Sequence, residues 1–273
     1  MKTKTPDLLR PEEIKKNLKT KIVGSEILYY EKTTSTMDVA RALIQTNFKN
    51  GTTIFTEEQS NGRGRSNHVW VCPKYKGLLL TILLKHTIKP DSLCLLIGTI
   101  AVAITEMVRE SCQLQAEIKW PNDILISGKK LGGILVTIEK NHNRQPVFLI
   151  GIGININNSE REFPNNLHIP PTSIAIEKKE YIDRILFART LLQYLDKWYL
   201  ILRDEHFKYI IGKWKEYCIT IGKELIIADY GKEYSGRVIG ISYNGGLMLK
   251  LNNGSTKIFR GEHATIKSER CIL

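Results

Sequence analysis

Glu58-Gln59-Ser60-Asn61-Gly62-Arg63-Gly64-Arg65 and, downstream, Lys119-Trp120-Pro121-Asn122-Asp123 decide how this chain is read. In the first segment Gly62 and Gly64 permit backbone with φ > 0 and a close pass against a ligand. Arg63 and Arg65 offer planar donor forks that match phosphate or carboxylate oxygens. In the second, Pro121 fixes its own φ and drives Trp120 toward extended backbone, so Asn122 and Asp123 project in one set direction from a strand junction. Together the two segments describe a site for an anion. Taken alone, the first is also compatible with a solvated basic loop or an Arg-Gly element for RNA, although it lacks the interleaved aromatics of a stacking platform. The second alone also fits a Trp-anchored turn with surface lysines.

Around these segments, periodicity predicts a helix over Met37 to Phe48, capped by Thr34 or Ser35, and a β-branched strand over Thr52 to Thr56. The glycine-arginine loop therefore hangs from a strand end. Gly77 to Leu84 reads as a buried strand, Leu93 to Gln113 as a long buried helix, and Glu117 to Lys140 as strands turned at Ser127-Gly128. Phe148 to Asn155 is a further strand, and helices are predicted near Lys179 to Arg203 and Asp204 to Tyr217. The texture changes at Gly222. Runs Glu224 to Ala228, Gly236 to Ser242, Leu247 to Leu251 and Thr256 to Arg260, punctuated by Gly/Asn turns at 244–246 and 252–254, predict a small β-barrel.

With these two segments, five stretches occur in one order: Ser35-Thr36-Met37, Glu58 to Trp70 (EQSNGRGRSNHVW), Lys119 to Asp123 (KWPND), Lys130 to Gly133 (KLGG) and Gly151 to Asn155 (GIGIN). In these residues, and over 25–268 as a whole, the chain resembles the biotin protein ligases. That family makes biotinyl-5′-AMP from biotin and ATP and then biotinylates one lysine of a biotin carboxyl carrier protein domain. The resemblance implies an α+β fold, with a mixed-sheet catalytic domain of the biotin/lipoate ligase type over 25–219 and a small SH3-like β-barrel domain over 220–273. Residues 1–24 form an N-terminal extension. Since 1–24 is too short for a helix-turn-helix plus linker, the expectation is the form of the family without an operator-binding role.

Residue by residue, the resemblance places Gln59, Arg63, Gly64 and Arg65 against biotin and biotinyl-AMP, and Trp70 on the adenylate side. Lys130 binds the biotin carboxylate and phosphate, and Gly133 lets backbone approach the biotin ring. Lys119 and Asn122 lie near the phosphates and a magnesium ion that comes with ATP. Asp123 is the base or orienting group for the incoming carrier lysine. Ser35 and Thr36 face the ureido group, a role compatible with capping a helix, whereas Met37 departs from the polar residue often found there. Asn155 faces ATP, with a structural asparagine at a strand end as the alternative. The Gly151–Asn155 stretch lacks the third glycine and following helix of a dinucleotide fingerprint. Arg63, Arg65, Lys130 and Asp123 are thus the catalytic candidates; no protein-built metal site is expected, and the resemblance also admits a homodimer.

Composition agrees with this reading. The 273 residues are 42% hydrophobic and 25% charged, an ordinary globular balance, and the net charge of +12 suits nucleotides or an acidic partner, or simply reflects abundant lysine. Five widely spaced cysteines without a CxxC pair, and six scattered histidines without an HExxH, indicate reduced thiols in a cytoplasmic setting. The N-terminus has no apolar signal region, and the longest apolar run, Leu93 to Ile104, is too short to cross a bilayer. Two other classes stay open: a lipoate or octanoate ligase sharing the fold, whose glycine-rich signature differs from Gly62-Arg63-Gly64-Arg65 with KWPND, and a nucleic-acid-binding repressor prompted by the charge.

Overall fold

The computed structural model describes residues 7–65, 68–85, 93–165 and 167–270. Its main layer is a seven-stranded sheet built from β1 (Ile27–Tyr30), β2 (Thr53–Thr56), β3 (Gly77–Leu84), β4 (Ala116–Lys119), β5 (Asp123–Ile126), β6 (Lys129–Lys140) and β7 (Pro146–Asn155). The strand order is β1-β2-β3-β7-β6-β5-β4. The β1–β2 pair is parallel and the other pairs are antiparallel, so the sheet is mixed. Side chains alternate across it. Leu78, Leu80 and Ile82 of β3 with Ile150, Ile152 and Ile154 of β7 face one core, shared with α3 (Leu93–Cys112), α5 (Arg184–Arg203) and α6 (Phe207–Tyr217). On the opposite face Ile54, Leu83, Val147 and Leu149 pack under Met37, Ala40 and Ile44, around α2 (Thr36–Leu43).

The C-terminal strands β8 (Glu224–Asp229), β9 (Lys232–Ile241), β10 (Leu247–Leu251), β11 (Thr256–Phe259) and β12 (Thr265–Arg270) form an antiparallel sheet in the order β11-β10-β9-β8-β12. Among the described residues no ladder joins β11 to β12, so the expected barrel is observed as an open five-stranded sheet. Its apolar side, with Leu225, Ile227, Val238, Leu247 and Phe259, is continuous with the main core. Gly245, at φ +86, carries the β9–β10 turn against the start of α3, where a Cβ would sit 2.8 Å from the Leu95 nitrogen. Its carbonyl accepts from Trp120 Nε1 at 3.2 Å and Cys94 Sγ at 3.0 Å. Trp120 and Pro121 are joined by a cis peptide bond, and Trp120 is buried.

Residues 7–24 pack into the main hydrophobic core. Leu9, Ile14 of α1 (Pro11–Lys15) and Val23 are buried, and Asp196 of α5 accepts the backbone N–H groups of Lys21, Ile22 and Val23, each at 2.8 Å. At the other end of α5, the fully buried Arg184 side chain pairs with Asp7 at 2.8 Å and Glu57 at 2.6 Å. Burial pulls this guanidinium down, but the bonds and charges of Glu57 and Asp7 more than reverse that and raise its pKa. Glu57 also accepts from the Leu9 N–H at 3.0 Å.

Several boundaries differ from the sequence reading for local reasons. The α2 helix stops at Leu43, not Phe48, because the Thr46 hydroxyl and N–H both take the Leu43 carbonyl, at 2.8 and 2.9 Å, and the chain turns back to bury Phe48. The expected 179–203 helix begins only at Arg184, where Asp183 accepts from Ile185 and Leu186; Lys179, in left-handed backbone, instead ends a short helix the sequence reading did not foresee, α4 (Ile174–Lys178). No helix among the described residues is long and apolar enough to cross a membrane.

Removing the positive member of the buried cluster would leave the Glu57 carboxylate without its cation. Arg184→Met is expected to lower stability by about 3–5 kcal/mol, and Arg184→Met with Glu57→Leu to regain part of it. Urea unfolding at constant m-value checks both.

Candidate active site

Strand register assembles the site. One transverse row of directly paired residues crosses the sheet: Lys119 opposite Asp123, Asp123 opposite Gly133, Gly133 opposite Gly153, Gly153 opposite Leu79. The next row places Gly151 opposite Thr81. Lys130 would fall out of phase with Gly133 in a regular strand, but a register shift between Ile124 and Leu125 breaks the alternation. Leu131 accordingly turns into the main core, and Lys130 Nζ meets Asp123 Oδ1 at 2.7 Å on the site face.

Above this face sits the N-terminus of α2. Ser35 caps it, its hydroxyl accepting from the Met37 N–H at 3.3 Å, and Thr81 Oγ1 donates to Thr36 Oγ1 at 2.8 Å. Gln59 is brought alongside by a bridge to Thr33, and its Oε1 accepts from the Thr36 N–H at 2.9 Å and hydroxyl at 3.2 Å. Met37 is buried, its sulfur 3.1 Å from where a Cβ of Gly151 would lie, which agrees with its lack of a polar role.

The arginine loop returns on itself, with the Trp70 N–H donating to the Gly62 carbonyl at 3.0 Å and the Gly64 N–H to the His68 carbonyl at 2.7 Å. Neither Gly62 nor Gly64 has positive φ, contrary to the sequence expectation. Gly62 is needed instead for approach, since a Cβ there would lie 2.3 Å from the Trp70 carbonyl oxygen. Ser66 and Asn67, part of the segment 60–68 whose sequence suggests mobility in the free protein, lie outside the described residues. Trp70 lays its indole on the glycine row: a Cβ at Gly153 would be 2.6 Å from Cε2, and one at Gly133 3.6 Å from Cζ3. Lys130 Nζ lies 5.9 Å from the ring centroid. The buried Trp70 Nε1 has no hydrogen-bond acceptor among the described residues.

Arg65 joins three segments. Its Nη1 donates to Asn122 Oδ1 at 3.0 Å, and its Nη2 to the carbonyls of Gly261 and Ala264, the latter at 3.2 Å. Burial pulls this guanidinium below its usual range, while Asp123, Cys94 and Glu262 act the other way. Arg63 is more exposed and pairs with Asp38 at 2.9 Å. Asn122 Nδ2 donates to the Ile134 carbonyl at 2.9 Å, which locks the side chain that holds Arg65. Asn155 is buried and donates to the Thr172 carbonyl at 3.0 Å, so this residue has a structural bond whatever else it faces.

Thus Ser35, Thr36 and Gln59 meet at one end of a glycine-floored slot, and Lys130, Asp123, Lys119, Asn122 and Arg65 at the other. Two residues with a part in this arrangement escaped sequence reasoning. Gly153 was hidden in a strand motif whose register was unknown, and Asp38 in the first turn of a helix. Burial disfavours the thiolate of the cysteines near the site, pushing Cys72 up to about 11 and Cys94 up to about 12. Chemically, the slot offers an apolar wall, fixed cations and one paired carboxylate.

Comparison with known proteins gives a consistent answer. Residues 29–157 match the model of the biotin/lipoate A/B protein ligase family. The chain is 32% identical over 259 residues to the bifunctional ligase/repressor BirA of Bacillus subtilis, covering 95% of this chain and 80% of that protein. It is 27% identical over 206 residues to the biotin–acetyl-CoA-carboxylase ligase of Paracoccus denitrificans, covering 72% and 83% respectively. The solved structure of biotin protein ligase from Aquifex aeolicus in complex with biotin and ATP matches with a TM-score of 0.76 at 23% identity, over 89% of this chain and 99% of that one, a likeness of fold.

Two outcomes test the geometry. At pH 8 the raised thiols of Cys72 and Cys94 remain protonated, so iodoacetamide is expected to leave both unmodified in the folded protein, as read by mass spectrometry. Gly153→Val is expected to expel the Trp70 indole and raise acrylamide quenching; in a Trp70→Phe background the same substitution should add nothing.

Proposed function

Because the chain belongs to the biotin/lipoate A/B protein ligase family, we infer that it is a biotin protein ligase. It activates biotin with ATP to biotinyl-5′-AMP and transfers the biotin to a lysine of a biotin carboxyl carrier protein. The observation that supports a two-substrate slot is the register row, in which the glycines at 133 and 153 adjoin Lys130 and Asp123.

In the first step a biotin carboxylate oxygen bonds to the α-phosphorus of ATP and the bond to the β-phosphate oxygen breaks, releasing pyrophosphate. Biotin's carboxylate is already ionised at neutral pH, so no nucleophile of the enzyme is required, which fits thiols whose pKa burial raises. Two anions must still be brought together. Arg63, Arg65 and Lys130 supply positive charge for them, strongest at the more deeply buried Arg65, where the surrounding dielectric is lower than in water. Thr36 and Gln59 offer paired hydrogen-bonding groups for the polar ureido end, with Ser35 beside them; Gly64 and Gly133 let backbone approach. Trp70, Lys119, Asn122 and Asn155 serve the ATP side.

In the second step the carrier lysine amine attacks the acyl carbon and expels AMP. That amine has an ordinary pKa near ~10.4 and must first lose a proton, for which Asp123 is placed, either as base or as orienting group. Magnesium enters with ATP. Asn122 Oδ1 already accepts from Arg65 and Asp123 Oδ1 from Lys130, so the ion would keep its shell on phosphates and water. When bound, it would neutralise phosphate charge.

The carrier domain as acceptor, a cytoplasmic location and the absence of sequence-selective DNA binding belong to the same proposal. The Arg-Gly loop with KWPND favours biotin over lipoate, and lipoate is expected not to compete. The deciding experiment is exchange of labelled pyrophosphate into ATP. It should require biotin and magnesium and no carrier protein, and Arg63→Gln or Lys130→Gln should slow it ~100-fold, the cost of one preorganised charge partner at ~3 kcal/mol. No exchange by folded enzyme would overturn the reading.

A further inference from the structure

Asp38 lies outside the slot and was given no part in the chemistry, yet it makes the closest connection between the arginine loop and the rest of the molecule on that side. Its Oδ1 is 2.9 Å from Arg63 Nη1 and its Oδ2 is 3.1 Å from Arg63 Nη2, an end-on fork. The carboxylate is itself held from two further directions. Thr34 Oγ1 donates to Oδ2 at 3.0 Å, and Arg41 Nη1 lies 3.1 Å from Oδ1 while Arg41 Nε pairs with Glu139 on β6 at 3.0 Å. Charges therefore alternate along Arg63, Asp38, Arg41 and Glu139, tying the loop through α2 to the central sheet.

Three physical points follow. Asp38 sits in the first turn of α2, where the helix dipole favours a negative side chain. Arg63 is otherwise a long, partly exposed side chain on a glycine-flanked loop, with many rotamers open to it. An end-on fork uses one N–H of each terminal nitrogen and leaves Nε–H and the remaining N–H groups in a fixed plane for an anion.

We propose that Asp38 is a positioning residue for biotin activation: its fork sets the direction in which Arg63 presents its remaining donors and holds the loop against the N-terminus of α2. The proposal rests on the biotin ligase reading. Asp38 touches neither substrate; it acts through Arg63, and removing its charge therefore weakens biotin capture more than it weakens the folded state.

The test is biotin-dependent pyrophosphate exchange by the full chain, wild type against Asp38→Asn, Asp38→Glu, Arg63→Gln, the Asp38→Asn/Arg63→Gln double variant and Glu139→Gln. Asp38→Asn should raise KM for biotin about tenfold, the size of one charge-assisted hydrogen bond, with a smaller fall in kcat. Asp38→Glu should recover part of the loss. The double variant should be no worse than Arg63→Gln alone, and Glu139→Gln, which breaks only the outer pair, should keep the wild-type KM. A second readout needs no activity: in the free protein, trypsin should cut after Arg63 faster in Asp38→Asn than in wild type or Glu139→Gln. Wild-type KM and cleavage rate in Asp38→Asn would overturn the proposal, as would effects of Asp38→Asn and Arg63→Gln that multiply in the double variant. A wild type that shows no exchange overturns the ligase reading and this proposal with it, so the two failures are told apart by the wild-type control.

Discussion

The guanidinium of Arg65 imposes the constraint around which the site is arranged. A cation withdrawn from water needs acceptors, and no single segment of this chain supplies enough of them. They come from Asn122 in the turn after β4 and from the carbonyls of Gly261 and Ala264 beside β12. The arginine loop, the Trp-Pro corner and the C-terminal sheet are therefore fixed relative to one another by one side chain. The packing is built to the same end: a Cβ at Gly261 would lie 2.9 Å from Pro121 Cβ, so backbone itself rests on the corner. The C-terminal sheet thus completes the electrostatics of a site located on another sheet, which gives a physical reason for its core to be continuous with the main one.

The slot between α2 and the sheet follows from a different constraint. A flat ligand against a β-sheet needs positions without side chains, and adjacent strands must offer them at the same level. Gly133 and Gly153 are direct partners and Gly151 is one step along, so the floor is a consequence of register. A one-residue slip would carry the glycines to the other face. Beside this floor the bulge at Ile124/Leu125 brings Lys130 to the same face as the glycines, so apolar wall and cation are adjacent within one hairpin.

What the sequence made legible was local. The strand Gly77 to Leu84 is observed with the bounds its unbroken apolar run indicated, and the loop and KWPND corner meet as their chemistry required. Features that depend on distant partners were not legible. The short β1 has no alternation of its own and exists because β2 pairs with it; β12 was missed for the same reason, pairing only with β8. Gly62 was read as freedom for positive φ and a close pass against a ligand, but its need for no side chain comes from Trp70, eight residues on. The role of residues 7–24 was invisible because Arg184, which draws Asp7 and Glu57 together, lies far along the chain. Asp38 illustrates the same limit within the site: in sequence it is an ordinary acidic residue of a helix start, and only the folded loop gives it Arg63.

The charge balance of the site has one further consequence. Lys130 and Arg63 each carry a carboxylate partner, Asp123 and Asp38, whereas Arg65 is held by neutral oxygens. Each of those two pairs is neutral, and the Arg65 guanidinium adds positive charge beside them, within a chain of net charge +12. Such a site attracts anions from a distance without trapping them, because the long-range field is set by the whole chain and is screened by salt. The paired cations are also oriented before any ligand arrives. In the proposed mechanism the cost of holding them is met in folding, and the gain would come when two anions share the slot and negative charge accumulates as pyrophosphate departs. An adenylate-forming site built from unpaired cations would bind its nucleotide more tightly but would have to reorganise in the transition state. Pairing each exposed cation with a carboxylate moves that reorganisation out of the chemical step.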